Sequence, residues 1–187
     1  VVYSNTPSSD TFGTLDSANS AVWGQTFASL APSSVASGNR YVFGSNATFT
    51  VTSNSVTKVY GDASVNASSV LGLSSGVTGV TVFTMPSWAD VFSASPTISS
   101  AGLAATATVA GGPYAMTVNP GTANTGYTIN YATPGTLSVT AKPLTIVGSS
   151  VVSKEYDGTT AATVSGGSLS GVINSDTVTF SQAGTFA

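Results

Sequence analysis

Apolar and polar positions alternate along this chain in short runs, each stopped by glycine, proline, asparagine or serine. Phe49 and Val51 fall on one face of a strand while Thr48, Thr50 and Thr52 take the other. Tyr127, Ile129 and Tyr131 alternate in the same way, as do Tyr114, Met116 and Val118, and Leu137 with Val139. A period of two residues marks half-buried strands. Asn119-Pro120-Gly121, Thr133-Pro134-Gly135 and Gly111-Gly112-Pro113 separate these runs at hairpin-like intervals, because glycine and proline supply the backbone angles that tight turns need. Strong helix formers are nearly missing: Glu155 is the only glutamate, Gln25 and Gln182 the only glutamines. Helix is therefore expected to be scarce. The predicted architecture is all-β: tandem small antiparallel β-sandwich (Ig-like) modules behind an N-terminal cap segment.

The pattern also repeats. Residues 146–159 (IVGSSVVSKEYDGT) lie over residues 50–63 (TVTSNSVTKVYGDA) at an offset of 96 with no gap, placing Lys154 on Lys58, Tyr156 on Tyr60 and Val147 on Val51. With so few lysines in the chain, that agreement argues for an array of related units. Residues 1–48 form the cap segment, read as the end of a preceding region. Residues 49–141 form a first module. Residues 142–187 start a second module, seamed to the first at Ala141-Lys142-Pro143, where proline suits only a strand start or an edge. Counted against the first copy, about half of the second copy's strands are missing, and the chain is expected to be internal to a longer precursor.

Composition narrows the function. Charged residues make up 6% of the chain, against about a quarter in an ordinary soluble domain, and Ser and Thr supply nearly a third. Arg40, Lys58, Lys142 and Lys154 are scattered, so no basic stripe exists to neutralise phosphates, and a nucleic-acid partner is not expected. There is no histidine, which removes the usual general base and the commonest zinc ligand, and no cysteine. Lack of cysteine suits an exported bacterial protein and many others. No apolar run of about 18 residues marks a membrane span.

Ser55-Val56-Thr57-Lys58 matches an S-x-x-K string, but on a strand residues three apart face opposite sides, so the pair cannot meet. For a hard cation the spacing leaves only Glu155 and Asp157 with Asp176; ordinary solvated carboxylates are the default. Catalytic residues, metal and cofactor are all expected to be absent. The residues singled out are the two repeat-signature turns, Lys58, Tyr60, Gly61 and Asp62 in one copy and Lys154, Tyr156, Asp157 and Gly158 in the other. Glycine gives positive φ and aspartate bonds its own backbone, so each reads as a turn with a tyrosine packed across it. The inverted order of Gly and Asp implies two different turn geometries.

The sequences KVYGD at 58–62, GYTINY at 126–131 and GTLSVTAKPLTI at 135–146 resemble the mostly-β, glycine-rich repeats of very large secreted bacterial adhesins. KEYDGTTAA at 154–162, followed by SGVINSDTVTF, is similar to the sister repeat named for its Tyr-Asp-Gly. Residues 2–43 resemble the segment downstream of the β-helical shaft in filamentous-haemagglutinin-like exoproteins. The resemblance implies two-partner secretion, an extracellular or cell-surface location, and a non-catalytic role in attachment, biofilm cohesion or filament building. Some adhesins of this general type carry sugars on asparagine, and Asn46-Ala47-Thr48 and Asn66-Ala67-Ser68 fit the acceptor pattern, although a chain this rich in Ser and Thr makes such matches by accident.

An unfinished sandwich leaves open strand edges that recruit another strand. Two readings follow: the sequence is one part of a longer array, or another copy of the chain supplies the missing strands by β-strand addition, which would build an open filament; a host surface or matrix polysaccharide is a further expected contact. The alternative function is a carbohydrate-binding module, which requires Trp23 or Trp88 on the surface as a stacking platform.

Overall fold

A computed structural model describes residues 1–65, 70–77 and 81–186. Among these residues the chain is mostly β, with 37% of them in strands and one short helix whose full range is described. Its strands in chain order are β1 (Val2–Ser4), β2 (Tyr41–Phe43), β3 (Ala47–Ser53), β4 (Val56–Val59), β5 (Leu71–Ser75), β6 (Phe92–Ala94), β7 (Thr97–Ser99), β8 (Tyr114–Ala115), β9 (Thr117–Asn119), β10 (Thr122–Ala123), β11 (Tyr127–Tyr131) and β12 (Thr136–Thr140). The C-terminal part adds β13 (Thr145–Val151), β14 (Ala161–Ala162), β15 (Val164–Ser170) and β16 (Gly184–Thr185). Helix α1 (Trp88–Val91) directly precedes β6. Among the described residues the strands form several small sheets of two or three strands, and none of these closes into a barrel or solenoid.

Two three-stranded sheets organise the first module. One has the order β11-β3-β5 and the other β4-β12-β8. In β3 every second residue, from Ala47 through Phe49 and Val51 to Ser53, is buried, while the threonines between are half-exposed. In β12, Leu137 and Val139 turn inward. Burying each such Phe, Val or Leu contributes roughly 1.5–3 kcal/mol.

The pairing departs from the antiparallel expectation: β11 lies parallel to β3, and β12 parallel to β4. The reason is continuity. β3 passes into β4 at Asn54-Ser55, β11 passes into β12 through residues 132–135, and the two ribbons change sheets side by side. Ala132 and Gly135 donate their N–H groups to the carbonyls of Val51 and Ser53 at 3.0 and 2.9 Å, and Thr136 N–H reaches Ser55 Oγ at 3.1 Å. Partners about 80 residues apart are joined by the intervening strands, a crossover that turn spacing does not reveal.

The core has two parts. The aromatic part joins Trp23, Tyr41 and Phe43 from the N-terminal segment to Phe49, Val51, Phe83, Val91 and Phe92. Trp23 stacks on Phe43 with centroids 4.7 Å apart. The segment up to residue 48 thus shares its packing with the strands that follow, and β3 itself begins at Ala47. The smaller part gathers Val70, Ala107, Met116, Leu137 and Val139 under Tyr60 and Tyr114.

The C-terminal unit is built differently. No described residue after Val139 is buried, and Ile146, Val147, Val151, Val152, Val178, Phe180 and Phe186 are exposed. Its main feature is the β13/β15 antiparallel pair, with β14/β16 beside it. The pair reproduces β3/β5: Thr145 faces Ser170 as Phe49 faces Ser75, and Val147 faces Ser168 as Val51 faces Leu73. The first strand is displaced by 96 residues and the return strand by 95, so the register is kept with one residue removed from the connection.

Candidate functional site

The two signature turns stand at different depths. Lys58 lies on β4 opposite Val139 and is 4% exposed. Its Nζ donates to the carbonyl oxygens of Asp62 and Ala104, the latter at 2.6 Å. A buried ammonium is tolerable only where such acceptors replace water. The turn it clasps is closed by Asp62 N–H to Val59 O at 3.1 Å, and Gly61, at φ +95°, occupies the third position. That is the type II pattern, which calls for glycine there.

Lys154 also reaches forward over its own turn, with its Nζ 2.9 Å from Asp157 Oδ1, 2.8 Å from Thr159 Oγ1 and 3.1 Å from Thr159 O. Asp157 Oδ1 accepts from the Thr159 N–H at 3.0 Å and from its hydroxyl at 2.8 Å. The Lys154 ammonium, and after it the Thr159 donors, hold the Asp157 carboxyl below its ordinary range. A lowered folded-state value means that the turn is supported at neutral pH, and that the support fades as pH falls through the lowered value. Gly158 sits at φ +77°. Each lysine therefore staples the turn that follows it, one from within the protein and one on its surface.

The tyrosines diverge further. Tyr60 is half-buried against the smaller core, whereas Tyr156 is 93% exposed and packs across nothing. Tyr60 Oη donates to Asp176 Oδ1 at 3.1 Å, linking the first turn to the C-terminal unit. Asn174 Nδ2 donates to Ala105 O at 3.2 Å across the same seam. Ile173 packs against Gly61 so closely that a Cβ on the glycine would stand 1.9 Å from Ile173 Cδ1. Beside these contacts opens a cleft of about 480 Å³, lined by Tyr60, Val109, Lys142, Leu144, Ile173 and Val178 among others. Sequence reasoning named Tyr60 and Gly61 but missed Ile173, Asn174 and the seam role of Asp176. The available signal was the Asn174-Ser175-Asp176 turn, where Asn174 and Ser175 take positive φ.

The other candidates are spoken for by local bonds. Ser55 Oγ accepts the Thr136 N–H while Lys58 points to carbonyls, so the S-x-x-K pair is separated in its partners. Asp176 bonds Tyr60 and Asp157 bonds Lys154, and among the described residues no three metal-ligating side chains converge. Trp23 is 3% exposed and Trp88 is half-buried and stacked on Phe92, so neither offers a flat exposed platform. Asn46 Nδ2 is 3.3 Å from Thr128 Oγ1; Asn66-Ala67-Ser68 lies outside the described residues. Among those residues no helix is long and apolar enough to cross a membrane.

No curated protein and no solved structure matches the chain. Residues 140–187, which hold β13 to β16 and the Tyr156-Asp157-Gly158 turn, match the family model of the YDG domain.

Proposed function

We propose that this chain is a non-catalytic structural segment of a secreted bacterial adhesin or extracellular matrix filament. Its modules are small β-sandwiches of the Ig-like kind joined end to end, and it works by spanning distance and by contact between units. The observation that carries this reading is the recurrence of one strand pair, β3/β5 and β13/β15, in one register within a chain whose C-terminal quarter matches a YDG domain. The direct contact from Tyr60 to Asp176 supports end-to-end stacking of the copies. Repeat arrays gain stability from each unit and from nearest-neighbour seams, which suits a stalk better than a pocket. Partners follow as further copies of the chain and, at the cell surface, a host or matrix polysaccharide.

The test is mechanical. Pulled between its ends in a force spectrometer, the chain is expected to yield in at least two steps, the exposed C-terminal unit first. The carbohydrate-binding alternative is tested on a glycan array. Saturable binding abolished by Phe27→Ala or Tyr156→Ala, the most exposed aromatics, would replace the stalk reading with a sugar-binding one.

A further inference from the structure

The first module contains the whole of an arrangement of which the C-terminal unit holds half. β3 lies between β5, antiparallel, and β11, parallel, with Tyr127 opposite Ala47 and Tyr131 opposite Val51. β13 takes the place of β3 and has β15 on one side; among the described residues no strand lies on the other. β4 is held by β12, with Leu137 opposite Val56 and Val139 opposite Lys58. Its counterpart, residues 152–155, is not a strand. The difference shows in burial: Val51 is fully buried, and Val147 in the same position is 47% exposed.

We propose that the open side of β13 together with residues 152–155 accepts one extended partner segment, running parallel to both, of the pattern found in Gly126–Thr140. That pattern is Tyr-x-Ile-x-Tyr to lie along β13, a Pro-Gly crossover, and Leu-x-Val to lie along residues 152–155. The proposal rests on the array reading and names the partner, polarity and register that complete the unit. Ladder bonds alternate sides along a strand, and the Val152 N–H already bonds Thr163 O on the β15 side at 2.9 Å. Thr145, Val147 and Ser149 hold the places of Phe49, Val51 and Ser53, and in the first module the carbonyls of Val51 and Ser53 are turned to the β11 side, where they accept from Ala132 and Gly135. In the first module the pairing opens with Ala47 N–H to Gly126 O at 2.9 Å. Its counterpart Pro143 has no N–H, so the new ladder starts at Thr145. The donor pattern carries no charge, and on the accepting side only Lys154 and Glu155 do, so recognition is by backbone bonds and alternate side chains. Completion also carries Lys154 toward the buried setting that Lys58 has.

The probe is a synthetic peptide of residues 126–140, GYTINYATPGTLSVT, titrated into the full chain and followed by residue-resolved hydrogen exchange. The expected result is saturable one-to-one binding, unchanged by added salt, with the amides of Thr145, Val147 and residues 153–155 protected about tenfold or more. A peptide carrying Gly135→Val binds more weakly, because the crossover has no room for a side chain, and this arm leaves the folding of the protein untouched. Equal protection by a scrambled peptide, or none at these amides, overturns the proposal. So does self-association of the chain that protects them without peptide, which would make a second copy the occupant. None of these failures alters the stepwise yielding expected of the stalk, so the two readings fall separately.

Discussion

Lys58 and Lys154 occupy equivalent positions and perform the same local task under unequal solvation. Lys58 Nζ shares Ala104 O with the Ala107 N–H at 3.0 Å but is the one donor to Asp62 O among the described residues, so Lys58→Met leaves the Asp62 carbonyl desolvated and unpaired and the Ala104 carbonyl with a single bond. The expected loss is about 1–3 kcal/mol, read as a lower urea midpoint. Lys154→Met frees groups that water reaches at once, and its midpoint stays close to that of the parent chain. An equal loss in both variants would mean that burial is not what distinguishes the two turns. The turn chemistry was legible from Gly61, Asp157 and Gly158 alone, since backbone preference is a property of the residue. The depth of each lysine was not, because it depends on β12 lying over β4, a partner about 80 residues away.

At the level of elements, the decisive feature is the double crossover in which β3 and β11 leave one sheet together and enter the other as β4 and β12. Gly135 stands where the ribbons touch: a Cβ there would be 2.4 Å from Ser55 N and 2.7 Å from Asn54 C. Both are backbone atoms and cannot swing away as a side chain does. Gly135→Ala is therefore expected to cost about 1–3 kcal/mol in thermal or urea unfolding. A variant as stable as the parent would show that the ribbons separate freely. Alternation announced β3 and β12 plainly, and their inward residues are those expected from the pattern. Parallel partnership stayed hidden because a period of two is the same for either direction of pairing, and because Thr133-Pro134-Gly135 reads as a hairpin turn although it carries the chain between sheets. The Tyr114, Met116, Val118 run likewise divides between β8 and β9, with Met116 turned into the core at the break.

Across the whole molecule the two copies share a hydrogen-bonding register and differ in cover. Thr50 and Ile146 hold corresponding places in the two pairs, yet one strand lies on an aromatic core and the other on solvent. Hydrogen exchange within the one chain separates ladder from cover. The Ile146 amide is expected to exchange at least about tenfold faster than that of Thr50, since opening a pair with no buried face costs little. Equal rates would mean that the ladder alone sets local stability. The difference of a single residue between the two displacements carries a consequence of its own. Length is lost where the chain doubles back, whereas the facing partners along the ladder are preserved, so loops can drift between copies without disturbing which side chains meet. Copies in such a protein are then better recognised by who faces whom than by counting along the chain.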